Sequence, residues 1–415
     1  MRKIISALFY ITHHPSFTFG MRSDYSYFPS DERLNPIIQT IFKKSETPAF
    51  ILDAQIIQQR FDAAKQALRK YWKKPVIAYS FKTNYAPIDI VRCLGAYAEV
   101  TSGRELKLAL SKDYPGSHII FNGPHKEQMA IRTAWSKGAL IQVDNTQELF
   151  DLDALSKSMR IPVRIGIRVN LSGQGPHISH FGMSLTDLFH RDVLRIINNH
   201  RYIRMEGIHF HVGTDIESLS VFEQSARAAG QVIKQLVNEG VMIKYINCGG
   251  GVMSHGNKPF GYNVWKPYTF PDYIKALYTG LRSQYSDTDK LIVYIEPGRY
   301  LIDDAVVFVS RVLRVKTVRL KQTLYIDGST AMLPLSQYRP QIIRPYPHAF
   351  EKRKDSIVPT IMFGATCREN DILYRGWLTK VSPGDLLLFY CVGAYNQSLG
   401  SDFIFQKPNT HTLPF

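Results

Sequence analysis

Lys82 is the first residue in this chain whose type and place suit covalent chemistry. It closes the apolar, β-prone run Val76-Ile77-Ala78-Tyr79-Ser80-Phe81 and is followed by Thr83 and Asn84. A primary amine at the C-terminal end of a buried strand can condense with a carbonyl to form a Schiff base. Alone, such a lysine is ordinarily a solvated strand cap, so the reading depends on other reactive groups falling at similar places. Three stretches do. In Gly207-Ile208-His209-Phe210-His211-Val212-Gly213-Thr214 the two imidazoles alternate, and strand geometry would put both on one face. Gly249-Gly250-Gly251 is bare backbone whose N–H groups can approach an anion closely. Glu296-Pro297-Gly298-Arg299 brings a carboxylate and a guanidinium into one turn, and Arg299 with the glycines suits a phosphate. Taken singly, these are a core histidine pair and two turns. No carboxylate is spaced to complete a metal site with the histidines, and no Gly-x-Gly-x-x-Gly fingerprint indicates a dinucleotide.

The elements that must position these groups alternate short apolar runs with helix-length segments. Strands are expected at 76–83, 96–100, 118–122, 140–144, 163–169, 205–212, 245–248 and 291–296, separated by helical patterns such as 54–71, 104–111 and 219–239. Eight βα units over about 250 residues is the arithmetic of a TIM barrel, and the reactive residues then fall at strand C-termini, the face where such barrels keep their sites. A doubly wound open sheet is the rival fold. From about residue 306 the helical patterns stop. Runs at 307–318, 323–326, 357–363, 386–395 and 403–405 indicate a C-terminal all-β domain. The expected division is an N-terminal extension at 1–46 without sustained periodicity, packing on the β-domain, then a barrel at 47–305 and the β-domain at 306–415.

With 415 residues, 45% of them hydrophobic, the chain can bury more than one core. Its formal charge of +16 raises nucleic-acid binding. Yet the densest basic run, Arg311, Arg314, Lys316, Arg319 and Lys321, alternates with Val and Leu as a half-exposed strand does. Nucleic acid is therefore not expected as a partner; the charge better suits attraction of an acidic substrate. The four cysteines, Cys93, Cys248, Cys367 and Cys391, are far apart and form no Cys-x-x-Cys pair, so neither a disulfide scaffold nor zinc is indicated. Met1-Arg2-Lys3 and the apolar residues 4–11 resemble the start of a secretory signal, but no small-residue cleavage site follows. A cytoplasmic protein without membrane spans is expected, the longest apolar run, 386–395, suiting a strand.

Jointly, the motifs resemble those of the fold-type III, pyridoxal-phosphate-dependent amino-acid decarboxylases, the family of the diaminopimelate, ornithine, arginine and carboxynorspermidine enzymes. The resemblance spans about residues 47–406. It rests on Tyr79-Ser80-Phe81-Lys82-Thr83-Asn84, Thr101-Ser102-Gly103-Arg104-Glu105-Leu106, His211-Val212-Gly213-Thr214, Gly249-Gly250-Gly251, Glu296-Pro297-Gly298-Arg299, Cys367 with Asp371, and Gly393-Ala394-Tyr395. It implies pyridoxal 5'-phosphate as cofactor, with Lys82 forming the aldimine and His211 stacking on the ring. Glu296 would keep the ring nitrogen protonated, so that the ring accepts the electron pair left by carbon dioxide. Gly249, Gly250, Gly251, Gly298, Arg299 and Tyr395 would hold the phosphate. Cys367 would come from the partner subunit of a head-to-tail homodimer as proton donor, and Asp371 would meet the substrate's far end or the partner.

The departures bear on substrate. Where the diamine-type enzymes place an acidic residue directly after the cysteine, to take the substrate's distal amine, this chain has Arg368, with Glu369 one position later. Arg339-Pro340 resembles the Arg-Pro that holds a distal carboxylate in the diaminopimelate enzymes, but Ile343 replaces the tyrosine expected after it. The connection 171–182 is shorter and carries His180-Phe181-Gly182 instead of Lys-Phe-Gly. The implied reaction is removal of the α-carboxyl group of a diaminopimelate-like or larger conjugated amino acid, its anionic distal group met by Arg339, Arg344 and Arg368. Two alternatives remain at this level. A racemase on the same scaffold needs a tyrosine base where this chain has Cys367, and an inactive relative acting as a binding protein, as antizyme inhibitors do, would have lost cofactor residues that are present here.

Overall fold

The structure, a computed structural model, describes residues 27–171, 179–199, 201–256, 268–318, 321–346 and 356–415. The described residues fall into two compact units, 58–253 with 268–300, and 27–57 with 254–256 and 301–415. The first strand of the chain, β1 (Ala49–Asp53), belongs to the second of these.

The first unit is a closed barrel of eight strands: β2 (Pro75–Ser80), β3 (Tyr97–Val100), β4 (Ile119–Phe121), β5 (Leu140–Val143), β6 (Val163–Arg168), β7 (Ile203–His209), β8 (Tyr245–Asn247) and β9 (Ile292–Ile295). Every neighbouring pair is parallel, and β9 closes on β2 through Pro75 opposite Val293. All eight expected strands are present, because parallel barrel strands are covered on both faces and so read as continuous apolar runs. Helices follow the strands, their starts fixed by local chemistry: the Ser102 side chain accepts from the Glu105 N–H, and the Asn145 side chain from that of Glu148. Inside the barrel Tyr245 and Tyr294 pack with Ala78, Ile120 and Leu140. Gly166 makes room for Tyr245, since a Cβ there would lie 1.8 Å from the Tyr245 hydroxyl.

The second unit is built on a sheet of order β12-β15-β10-β11-β13-β14, with β1 pairing both β10 and β16. Its strands are β10 (Val306–Val318), β11 (Lys321–Ile326), β12 (Ile342–Tyr346), β13 (Ile357–Phe363), β14 (Ile372–Thr379), β15 (Leu386–Tyr390) and β16 (Asn409–Leu413). It also holds the helix Asp31–Lys44, within the N-terminal stretch that lacks sustained periodicity. Leu34, Ile38 and Ile41, on one face, are buried with Ala49, Ile51, Val307 and Leu388, each worth about 2 kcal/mol of apolar burial. Pro36 lies within this helix and hides it from a propensity reading.

Two strand expectations are corrected. The run 386–395 ends at Tyr390, because Cys391 takes φ 58° and Tyr395 φ 67°, which no extended strand accommodates. Residues 403–405 form only an isolated bridge between Phe403 and Phe405. Strands β1, β12, β14 and β16 were absent from the expectation. Among the described residues no helix is long and apolar enough to cross a membrane.

Candidate active site

At the C-terminal end of the barrel a chain of hydrogen bonds runs from an amine to a carboxylate. Lys82 sits in the 3-10 turn Phe81–Thr83 that follows β2, and its Nζ lies 2.8 Å from Glu99 Oε2. Glu99 is on β3 directly opposite Ser80 of β2, whose hydroxyl donates to the same oxygen. The other Glu99 oxygen accepts from Asn122 Nδ2 at 2.9 Å, and that amide nitrogen also donates to Glu296 Oε1 at 2.8 Å. Asn247, ending β8, donates to Glu296 Oε1 as well, at 2.6 Å. Glu99, Asn122, Asn247 and Glu296 are all buried. Of these, sequence reasoning singled out Lys82 and Glu296 and missed Glu99, Asn122 and Asn247. Their common signal is a polar residue at or next to the end of an apolar run, three times over.

Their electrostatics differ. Burial by itself would raise the Glu99 carboxyl, but Lys82, Ser80 and Asn122 outweigh it and hold the group below the usual carboxylate range. Glu99 is thus the anion that faces the ammonium. Burial, then the Glu99 charge, push Glu296 up to about 7 against the pull of Lys82 and the two amides. A carboxylate so placed gains from a cation brought to it.

The two histidines are held differently. β7 ends at His209, so strand alternation does not carry on to His211. His209 is 2% exposed, and neither ring nitrogen has a hydrogen-bond partner among the described residues. Its Nε2 lies 3.5 Å from Glu296 Oε2. Burial, then the charge of Arg168, lower its imidazole well below the ordinary value, so the contact is not an ion pair. His211 Nδ1 accepts the Gly250 N–H at 3.1 Å, which fixes its hydrogen on Nε2. Burial, then Arg168 and Lys82, lower it to about 3. Both rings are neutral at pH 7.

The glycine run is shaped by close approach. Gly249 and Gly251 have φ of 64° and 99°, and a Cβ on Gly250 would lie 2.5 Å from the Glu296 carbonyl. Arg299, in the turn after Glu296, places Nε 3.0 Å from Asp215, and both side chains are largely buried. A Cβ on Gly298 would lie 2.1 Å from the Thr83 hydroxyl oxygen, so that turn sits against the lysine turn.

The remaining candidate residues belong to the sheet unit. Cys367, Arg368 and Glu369 are exposed on the loop between β13 and β14. They line a cavity of about 690 Å³ with Arg314, Lys316 and Phe405, and Arg368 Cζ lies 5.8 Å from the centre of the Phe403 ring. Asp371 is 1% exposed. Its carboxylate accepts from the backbone and hydroxyl of both Thr330 and Thr366, so it ties its own loop to the segment after β11. Arg339 is 2% exposed, 4.0 Å from Asp303, and Arg344 pairs with Asp31. Of the three arginines expected at an anionic tail, Arg368 alone is exposed. Tyr395 begins the short helix Asn396–Leu399 from a left-handed backbone conformation. Next to it, the Ala394 N–H donates to Asp303 Oδ1 at 3.0 Å.

Residues 54–303 match the family model of the pyridoxal-dependent decarboxylases, pyridoxal-binding domain. Among curated relatives, a diaminopimelate decarboxylase of Methanocaldococcus jannaschii is 24% identical over 384 residues, covering 87% of this chain and 84% of its own. That of Aquifex aeolicus is 25% identical over 373 residues, covering 86% and 84%. Among solved structures, the M. jannaschii diaminopimelate decarboxylase matches with a TM-score of 0.81 at 21% identity, over 90% of this chain and 88% of that one. A lysine/ornithine decarboxylase of Vibrio vulnificus complexed with putrescine matches with a TM-score of 0.75 at 22% identity, over 93% and 99%. At these identities the solved structures speak for a common fold.

Proposed function

We propose that this chain, which belongs to the pyridoxal-dependent decarboxylase family, removes the α-carboxyl group of an amino acid whose distal end is anionic. The observation that carries the chemistry is the run Lys82–Glu99–Asn122–Glu296, an amine and a buried carboxylate linked through one amide at the mouth of a barrel.

The residues fit pyridoxal 5'-phosphate. Lys82 supplies the amine for its aldehyde. Glu296 has one oxygen occupied by two amides and the other, among the described residues, beside a neutral imidazole at 3.5 Å, the disposition needed to accept from a protonated ring nitrogen. Both nitrogens of buried His209 lack a protein partner among the described residues, as expected where a bound group completes the site. When bound, the cofactor supplies an electron-accepting ring that takes up the pair released with carbon dioxide. Glu296 would keep that ring's nitrogen protonated, and neutral His211 would offer a flat face for stacking without adding charge. Gly249, Gly250, Gly251, Gly298, Arg299 and Tyr395 would hold the phosphate, the glycines by leaving room for its close approach to the backbone, Arg299 by charge and Tyr395 by its hydroxyl. Glu99 would hold the Lys82 amine in position by the contact it already makes with it.

Cys367 would hold the thiol proton that takes the place of the lost carboxyl group, and its thiolate would regain a proton from solvent. It would come from a second copy of the chain in a head-to-tail homodimer. Its exposure beside the exposed Phe403, Ile404 and Phe405 supports an assembled surface there. Arg368 receives the substrate's distal anion, with Glu369 beside it. A substrate ending in an amine would face a guanidinium, whereas a carboxylate can pair with it bidentately.

The test is carbon dioxide release by the protein loaded with pyridoxal phosphate, across amino acids ending in an ammonium, a carboxylate or a bulky carboxylated conjugate. Release from the anionic substrates and not from lysine or ornithine is expected. Release from lysine or ornithine alone overturns the substrate class, and α-proton exchange without release, from any of them, overturns decarboxylation.

A further inference from the structure

Building on the cofactor reading above, we propose that Asn122 is a positioning residue for the cofactor, its one amide nitrogen bridging Glu99 and Glu296 so that Glu296 stays an acceptor for the cofactor's ring nitrogen. Nδ2 carries two hydrogens, and the structure sends one to each carboxylate, at 2.9 and 2.8 Å. Residue type matters here. A hydroxyl has one hydrogen to give, and a lysine or arginine would cancel the charges the site depends on. An uncharged NH2 satisfies two buried acids at once and leaves both able to ionise.

Three further observations make the bridge specific. The Asn122 backbone N–H donates to the Val100 carbonyl at 2.8 Å, which fixes the residue just past the end of β4, beside β3. The side chain is buried and its Oδ1 has no hydrogen-bond partner among the described residues. A buried carbonyl without a donor is costly, so the two donated bonds are what orient the amide. Both bonds also end on Oε1 atoms, which leaves Glu99 Oε2 to Lys82 and Ser80, and Glu296 Oε2 toward His209.

The charged and titratable groups facing Glu296 are Glu99 on β3, Lys82 after β2, Arg168 on β6, His209 on β7 and Cys248 after β8. Burial and Glu99 already bring its titration to about 7. Loss of the Asn122 bond removes one of the interactions that favour the anion, beside those of Lys82 and Asn247. Glu296 then takes up a proton at a higher pH, and a neutral carboxylic acid holds a protonated ring nitrogen poorly.

The experiment measures the dissociation constant of pyridoxal phosphate against pH, without substrate, for the wild type, N122A, N122D and the double variant N122A/E99Q. In the wild type, affinity is expected to fall as pH drops through about 7. In N122A that fall should begin about one pH unit higher, with binding on the order of tenfold weaker at neutral pH. N122D keeps the side-chain volume, so it answers the question if N122A does not fold, and its fall should move the same way. Removing the opposing charge in N122A/E99Q should bring the fall back toward that of the wild type. A profile unmoved in both single variants overturns the proposal. So does a double variant no better than N122A, which would make Asn122 a packing residue. A wild type that binds no pyridoxal phosphate overturns the cofactor reading instead, and is distinguishable because it appears without any substitution.

Discussion

The barrel mouth and the β13–β14 loop of the sheet unit hold their reactive groups in opposite ways. In the barrel, Lys82, Glu99, Asn122, Asn247 and Glu296 form one hydrogen-bonded network whose members other than Lys82 are buried, each set by the end of a different strand. In the loop, the one buried charge, Asp371, accepts four hydrogen bonds that shape the backbone, while Cys367, Arg368 and Glu369 stand exposed. A cofactor needs its electrostatics fixed before it arrives, and a rigid barrel rim can do that. An exposed loop can change which substrate it meets without disturbing that network.

The strongest challenge to this contrast is Lys82→Ala. It should abolish stable uptake of pyridoxal phosphate and lower turnover by about 10⁴-fold or more, read by the visible absorbance of the bound cofactor and by carbon dioxide release. A variant that still binds and turns over would mean the barrel network is not the reactive centre.

Cys367→Ala should lower turnover by about 10²- to 10⁴-fold, the range for loss of a general acid, while cofactor affinity is unchanged. If cofactor binding fell as well, the loop would belong to the cofactor site and the contrast would fail. Mixing inactive K82A with inactive C367A should restore part of the activity, because a hybrid dimer would carry one intact pair of contributions.

A pH test sharpens the barrel side. Glu296 titrates near 7 in the folded chain, above its value in an unfolded one. Its contribution to stability is therefore fully present below about pH 4 and is lost as pH rises through 7, by about 3 kcal/mol in the cofactor-free protein. Glu296→Gln should flatten that part of the stability–pH curve, as measured by denaturant unfolding. An unchanged slope would place the strained charge elsewhere.

The smallest expected effect is in the loop. Arg368→Glu should shift preference from anionic toward cationic distal groups by about ten- to a hundredfold in kcat/KM, leaving cofactor affinity alone. Unchanged preference would leave Arg368 as a partner of Phe403 only.

How much of this was legible beforehand follows from how local each feature is. All eight barrel strands were readable, because each is an apolar run buried on both faces. Lys82, the glycine run and the Glu296–Arg299 turn stood out as compact motifs. The helix Asp31–Lys44 was missed because Pro36 interrupts its propensity, although Leu34, Ile38 and Ile41 keep its face. β16, reading Asn-Thr-His-Thr-Leu, has no signal of its own and is a strand through its pairing with β1.

The sequence by itself determined the barrel and set an amine, Lys82, and a carboxylate, Glu296, at the ends of two of its strands, since periodicity and short motifs are properties of neighbouring residues. Only the tertiary structure decided which acids share a network. Asn122 and Glu296 are 174 positions apart and meet because a closed barrel gathers its strand ends on one rim. A polar residue at the end of a strand reads the same whether it faces water or another carboxylate. Its role is set by what the closure of the barrel brings against it.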